Sequence, residues 1–534
     1  MVTRSAGILV PLFSLRTADD LGRGEIMQMK PMIDFALGFG HRVIQLLPLD
    51  ETAPSEASPY TALSVFALDP LYISAAELPG VGPMALRRAR KLVGDGSRSV
   101  PRERYVAAKS ELLERAFSAF QSRGRARERR ALDDFIRENS YWIEDYSLFR
   151  ALKDRFEFRT WEEWPADLAR REPDALAAAR RELAEGIRKY CFLQFVAHRQ
   201  WQSAREYARE RGAFIGGDLA FSPGRDSDVV WAHQESFDLA RTIGTPPDAF
   251  TEKGQRWGLP MPNWTAMRAD GFELWRARVR HARALYDIMR IDHVVGLYRT
   301  FCFGSEDPDV PGSFVPETED EQRAQGEAAL RAIKEEAPDA LLIAEDLGTV
   351  PPWVRESLTA LGLPGYKVMQ WEREWDAPEQ PYISPADYPE LSLATTGTHD
   401  TDALTVWWRE QPIEERVRLV SALKLDGRVN VRAPLGMPVL NLVLEALYAA
   451  PSILTVLPIQ DLFGWSARIN RHGTVTDSNW AYRLPLPLER MGQSRAIAAR
   501  THDLREIAVR TGRFDAARVA ASADPSPGSA PRPE

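Results

Sequence analysis

Cysteine is nearly absent: Cys191 and Cys302 are the only two in 534 residues. They stand far apart in the chain, which excludes a disulfide framework and a metal knuckle and fits two buried cytosolic thiols. Histidine is scarce too. The eight histidines form no H-x-x-x-H pair and no Cys/His cluster, and no P-loop or G-x-G-x-x-G is present, so neither a metal nor a cofactor is expected. There is no basic excess. A net charge of -8 gives no footprint for nucleic acid, and a mildly acidic surface suits a neutral substrate. No apolar run reads as a membrane span. Residues 7–13 are a short run containing Pro11, followed by a charged stretch without a small-residue cleavage pattern, which reads as a first strand and not a signal peptide. Residues 437–459 are interrupted by Asn441, Glu445, Pro451 and Pro458, which reads as a helix followed by a strand. A cytoplasmic protein with no membrane partner is expected.

What is present is the composition of a globular protein, 44% hydrophobic and 27% charged. The length would allow three or four average domains, or one (β/α)₈ barrel with insertions. The repeated feature decides for the barrel. Apolar runs of strand length, several with polar or acidic tips, occur at residues 6–12, 42–48, 214–219, 288–294, 341–346, 366–371, 393–398 and 453–459. Near-continuous apolar strands suit a parallel sheet buried on both faces. Helical patterns, such as 273–289 and 322–337, lie between most of them, so the fold class expected is α/β, a (β/α)₈ TIM barrel with helical insertions.

One catalytic unit is expected over residues 1–510. It carries a mainly helical insertion at about 76–210, where Leu113, Phe117 and Phe120 share a stripe and Phe192, Phe195 and Trp201 face inward. Residues 221–263, rich in Pro, Gly and aromatics, are expected to form a long irregular active-site loop. Residues 511–534 form the C-terminal end, with a low-complexity tail expected to be disordered from about 520.

The strand tips suggest chemistry. Breaking a glycosidic bond takes two carboxyl groups in different protonation states, one to protonate the leaving oxygen and one to attack the anomeric carbon or orient water. Asp292 and Glu345 each end an apolar strand, and the C-terminal ends of barrel strands are where catalytic groups sit. Arg290, two residues before Asp292, shares its face and favours its charged form. Glu345, near that second carboxylate and partly desolvated, is suited to holding a proton. Asp400, beside His399, is placed to bond sugar hydroxyls. One acid at a strand end is commonly a helix cap; three, each ending an apolar strand, point to function. Trp257, Trp264 and Tyr60 lie in Pro/Gly-rich stretches and are candidates for exposed sugar platforms.

The chain resembles the 4-α-glucanotransferases (amylomaltases, or disproportionating enzymes) of glycoside hydrolase family 77. The resemblance runs from about residue 7 to about residue 487 and rests on motifs in order. Gln45-Leu46-Leu47-Pro48-Leu49 precedes Ser58-Pro59-Tyr60 and Ser64-Val65-Phe66-Ala67. Gly217-Asp218-Leu219, Gly254-Gln255-Arg256-Trp257-Gly258 and Ile343-Ala344-Glu345-Asp346-Leu347-Gly348 follow. Gly397-Thr398-His399-Asp400, Gln460-Asp461-Leu462 and Asn479-Trp480 close the series. The resemblance implies a retaining double displacement: Asp292 as nucleophile, Glu345 as acid and then base, and Asp400 stabilising the transition state. It implies that Tyr60, Asp218, Arg290 and His399 line the subsite of the sugar being cleaved. Trp257 would lie in a loop covering the groove, and Asn479 on the acceptor side. The substrates implied are a maltooligosaccharide or α-glucan donor and a glucose or oligosaccharide acceptor, with hydrolysis by the same carboxylates as the alternative. Two segments depart from the family pattern: His293-Val294-Val295-Gly296-Leu297 with the acidic loop after it, and Ala220 where the family usually has proline.

Overall fold

The computed structural model describes residues 3–94, 100–247, 254–305, 307, 309–474 and 476–515. The disordered tail expected from about residue 520 lies outside the described residues.

Eight parallel strands close into a barrel, each bonded to the strands before and after it in the series. They are β1 Ser5–Leu9, β2 Val43–Gln45, β3 Phe214–Leu219, β4 Ile288–Ile291, β5 Leu341–Ala344, β6 Gly365–Val368, β7 Ser392–Thr395 and β8 Leu454–Pro458. All eight coincide with the apolar runs read from the sequence. Their interior is packed by Val43, Ile288, Ile343, Val368, Leu393, Leu454 and Val456. β-Branched and leucine side chains dominate, and each fully buried one contributes about 1.5–3 kcal/mol. The barrel is therefore a filled core whose chemistry must sit at its mouth. Helices pack outside, among them Glu273–Leu285, Glu319–Glu336 and Met437–Tyr448.

Between β2 and β3 lie the helices Arg102–Arg123, Ser140–Arg155 and Ala184–Glu210, with shorter ones between. Leu113, Phe117, Phe120, Phe192, Phe195 and Trp201 are all buried. Phe192 packs on Phe117 and Phe120 with ring centroids 5.7 and 4.7 Å apart. Aromatic burial thus joins the first of these helices to the last.

The described part of residues 221–263 is not irregular throughout. It contains strands Phe237–Thr245 and Gln255–Pro262, paired antiparallel. With Thr300–Phe303 and Ser313–Val315 they make a four-stranded sheet in the order Gln255–Pro262, Phe237–Thr245, Thr300–Phe303, Ser313–Val315. Gly258, Pro260 and Pro262 read as loop residues in sequence, yet they lie on an edge strand, where missing donors are tolerated. Two register shifts in the pairing blur the alternation further. Gly244 is required: a Cβ there would fall 1.9 Å from the carbonyl oxygen of Gln255. Trp264, a candidate for exposure, is 4% exposed and donates its indole N–H to Thr300 Oγ1 at 2.9 Å. No helix among the described residues is long and apolar enough to cross a membrane.

Candidate active site

Adjacent strands bring the acidic groups together. Asp218 on β3 and Arg290 on β4 are register partners. β4 runs into Asp292 and β5 into Glu345. Arg290 Nη1 lies 2.7 Å from Asp218 Oδ1 and 2.7 Å from Asp292 Oδ1, and its Nη2 lies 3.8 Å from Glu345 Oε2. Arg290, Asp218 and Glu345 are 8%, 3% and 9% exposed. One guanidinium therefore serves three carboxyl groups, two of them buried, which leaves negative charge in excess and favours protonation of one of them.

Glu345 is the group that responds. Burial pushes its carboxyl up to about 8; Arg290 opposes the rise and the charge on Asp292 adds to it. Its oxygens accept from the backbone N–H groups of His293 at 2.7 Å and Leu347 at 3.2 Å, which fixes its orientation. Asp218 is raised as well, by burial above all, and its Oδ2 accepts from the Tyr60 hydroxyl at 2.7 Å.

Asp400 is shifted the other way. It follows β7 in a loop, and burial would raise it. His399, the amide of Asn470 and His472 outweigh burial and hold it below the usual carboxylate range. Asn470 Nδ2 donates to Asp400 Oδ1 at 2.6 Å, and Arg468 donates to the Asp400 carbonyl. Arg468 also pairs with Asp402 at 2.6 Å.

Aromatic rings complete the wall. Tyr60 and His399 stack with centroids 5.2 Å apart and planes 16° from parallel. Trp480 lies 5.9 Å from Tyr60 and 5.8 Å from His399. Trp257, half-buried, meets His293 edge-on at 5.0 Å. Burial holds His293 down at about 4, so it is neutral at pH 7. Rings of this kind offer apolar faces to the C–H faces of a sugar.

Of the residues singled out in sequence, Tyr60, Asp218, Arg290, Asp292, Glu345, His399 and Asp400 form one connected cluster, and Trp257 reaches it through His293. Asn479 does not join it. Its Oδ1 accepts from Arg471 N at 3.1 Å and its Nδ2 donates to the Thr474 carbonyl at 2.8 Å, so its amide is spent on its own loop. That loop instead presents the neighbouring Trp480, in a left-handed conformation with φ 59°. Trp480, Asn470 and Arg468 were not singled out in sequence. Only Trp480 stood in a quoted motif; the other two act across long separations that leave no local pattern. Among the described residues no group of three or more His, Cys, Asp or Glu side chains is arranged to hold a metal ion.

The 4-alpha-glucanotransferase family model matches residues 10–488. The 4-alpha-glucanotransferase of Thermus thermophilus is 32% identical over 498 residues, covering 89% of this chain and 95% of its own. That of Chlamydia muridarum is 29% identical over 506 residues, covering 91% and 92%. The amylomaltase of Streptococcus agalactiae, solved in complex with acarbose, superposes with a TM-score of 0.84 at 28% identity, covering 96% of this chain and all of that one. The chain belongs to glycoside hydrolase family 77, the 4-α-glucanotransferases, and is an enzyme of α-1,4-glucan transglycosylation.

Proposed function

We propose that the cluster around Arg290 cleaves a maltooligosaccharide donor and passes the released segment to the 4-hydroxyl of a glucose or oligosaccharide acceptor. In the first step a carboxylate oxygen of Asp292 attacks the anomeric carbon. The bond from that carbon to the leaving oxygen breaks, and the Glu345 proton goes to the leaving oxygen. In the second step ionised Glu345 takes the proton of the acceptor hydroxyl, whose oxygen attacks the same carbon and releases Asp292. Two inversions retain the α configuration. Asp400, with His399, bonds the ring hydroxyls as charge develops. Asp218, Tyr60 and Arg290 line the same subsite, and Trp257 flanks it.

The observation that carries this reading is the placement of two carboxyl groups on one guanidinium. Arg290 lies 2.7 Å from Asp292 Oδ1, and beside it buried Glu345 is pushed up to about 8 and holds its proton at neutral pH. A protonated carboxyl next to a second one paired with a cation suits the roles of acid and nucleophile. Two free buried thiols, Cys191 and Cys302, support a cytoplasmic location. Incubation with maltotriose tests the function. Glucose together with oligomers longer than maltotriose is the expected result; glucose and maltose alone would leave a hydrolase.

A further inference from the structure

We infer that Asp461 is a positioning residue for the transfer reaction, the tether that holds both ends of the loop carrying His399 and Asp400. The inference rests on the proposed role of that loop at the reacting sugar.

The loop leaves β7 at Thr396 and ends where helix Leu404–Glu410 begins. Asp461 comes from the end of the neighbouring strand, on the short helix Ile459–Phe463 after β8. Its Oδ2 accepts from the Thr396 hydroxyl at 2.5 Å and its Oδ1 from the backbone N–H of Leu404 at 2.7 Å. The two anchor points are eight positions apart in sequence, and one carboxylate spans them. Thr396, Leu404 and Asp461 are 0%, 1% and 1% exposed, so Asp461 itself has no access to a substrate. The loop borders a small, partly open recess lined by Thr398, His399, Thr401, Asp402, Gln460 and Asp461 among others. Polar tethers fix the loop beside it. Arg468 and Asn470 bond the loop at Asp400, and among the described residues Asp461 is the side chain that bonds both Thr396 and Leu404 at its two ends.

A loop that must place Asp400 against a ring hydroxyl loses rate, not substrate affinity, when it drifts. Misplacement by about 1 Å costs on the order of 100-fold in rate. The test measures kcat and KM for maltotriose disproportionation, together with thermal unfolding, in the full chain. Asp461→Ala should lower kcat roughly 10–100-fold with KM changed by less than about threefold. Thr396→Val, which removes one tether and keeps the shape, should lower kcat about 3–10-fold, and Thr396→Ser, which restores the hydroxyl, should return it to within about twofold. If Asp461→Ala does not fold, the Val/Ser pair at Thr396 decides. Equal kcat in Thr396→Val, Thr396→Ser and the parent overturns the inference, as does a loss confined to the melting temperature. A parent enzyme that makes no longer oligomers would instead refute the transfer reading, whatever these variants do.

Discussion

The backbone N–H of His293 donates to Oε2 of Glu345 at 2.7 Å. The residue that follows Asp292 thus holds Glu345. His293 itself takes a left-handed φ of 48°, which non-glycine residues rarely adopt. The two carboxyl groups are tied to each other twice, through this amide and through Arg290.

Replacing Glu345 by Gln keeps the shape and removes the proton. Turnover of maltotriose should fall about 10²–10⁴-fold, the range of general acid–base catalysis. A glycosyl fluoride donor, whose leaving group needs no proton, should recover the first step, observed as a burst of fluoride release. Equal losses with both donors would remove Glu345 from the acid role.

The elevated Glu345 carboxyl sets the alkaline limb of the rate. Its acid form serves the first step, so kcat should decline as pH rises through about 8. The stability effect has the same direction. A carboxyl raised in the folded state contributes stability below its unfolded value that is lost as pH rises through its folded one. Melting temperatures of the parent and of Glu345→Gln should therefore diverge between about pH 4.5 and pH 8, the parent losing stability relative to the Gln variant as pH rises. Parallel curves across that window would contradict the assignment.

Arg290 is the counter-ion of the whole cluster. Arg290→Met would leave buried carboxylates without a cation, and removing one partner of a buried pair costs about 3–5 kcal/mol. Urea unfolding measures that loss. Arg290→Lys keeps the charge but cannot place two nitrogens on separate carboxylates, so it should retain more stability than activity. A lysine variant with full turnover would show that the fork is not needed.

Much of this was legible in the sequence. Each of the eight strands is a short apolar run, and three of the runs end in acids that meet in the structure. The helical stripe with Phe117 and Phe120 was visible because its 3.6-residue period survives. The antiparallel sheet was not visible: Gly258, Pro260 and Pro262 look like breakers, and only the edge position of their strand makes them acceptable. Nor was the support around Asp400. Asn470 and Arg468 act across 70 and 68 residues, and such contacts follow from barrel closure and not from any local pattern. Asn479, placed on the acceptor side by the resemblance alone, bonds through its amide to Arg471 and Thr474 of its own loop, a pairing no local pattern announces.

Acid should weaken the fold at a place remote from the site. Burial pushes His198 down to about 4 and His281 to about 3, and their rings lie 5.5 Å apart between two helices. Imidazoles lowered in the folded state contribute stability that is present above their unfolded value, near 6.5, and lost as pH falls through the folded values. The melting temperature should drop between about pH 6.5 and pH 4. A His281→Gln variant should show a shallower drop; an unchanged slope would place the acid sensitivity elsewhere.

The most direct test of the mechanism is to look for the covalent intermediate. Glu345→Gln supplied with a glycosyl fluoride can form the ester but lacks the base to transfer it, so the glycosyl-enzyme should accumulate. Mass spectrometry of the quenched protein should then find one glycosyl group, located by peptide mapping on Asp292 and absent from an Asp292→Asn, Glu345→Gln double variant. An adduct on any other residue, or rapid fluoride release with no adduct, would contradict Asp292 as the nucleophile.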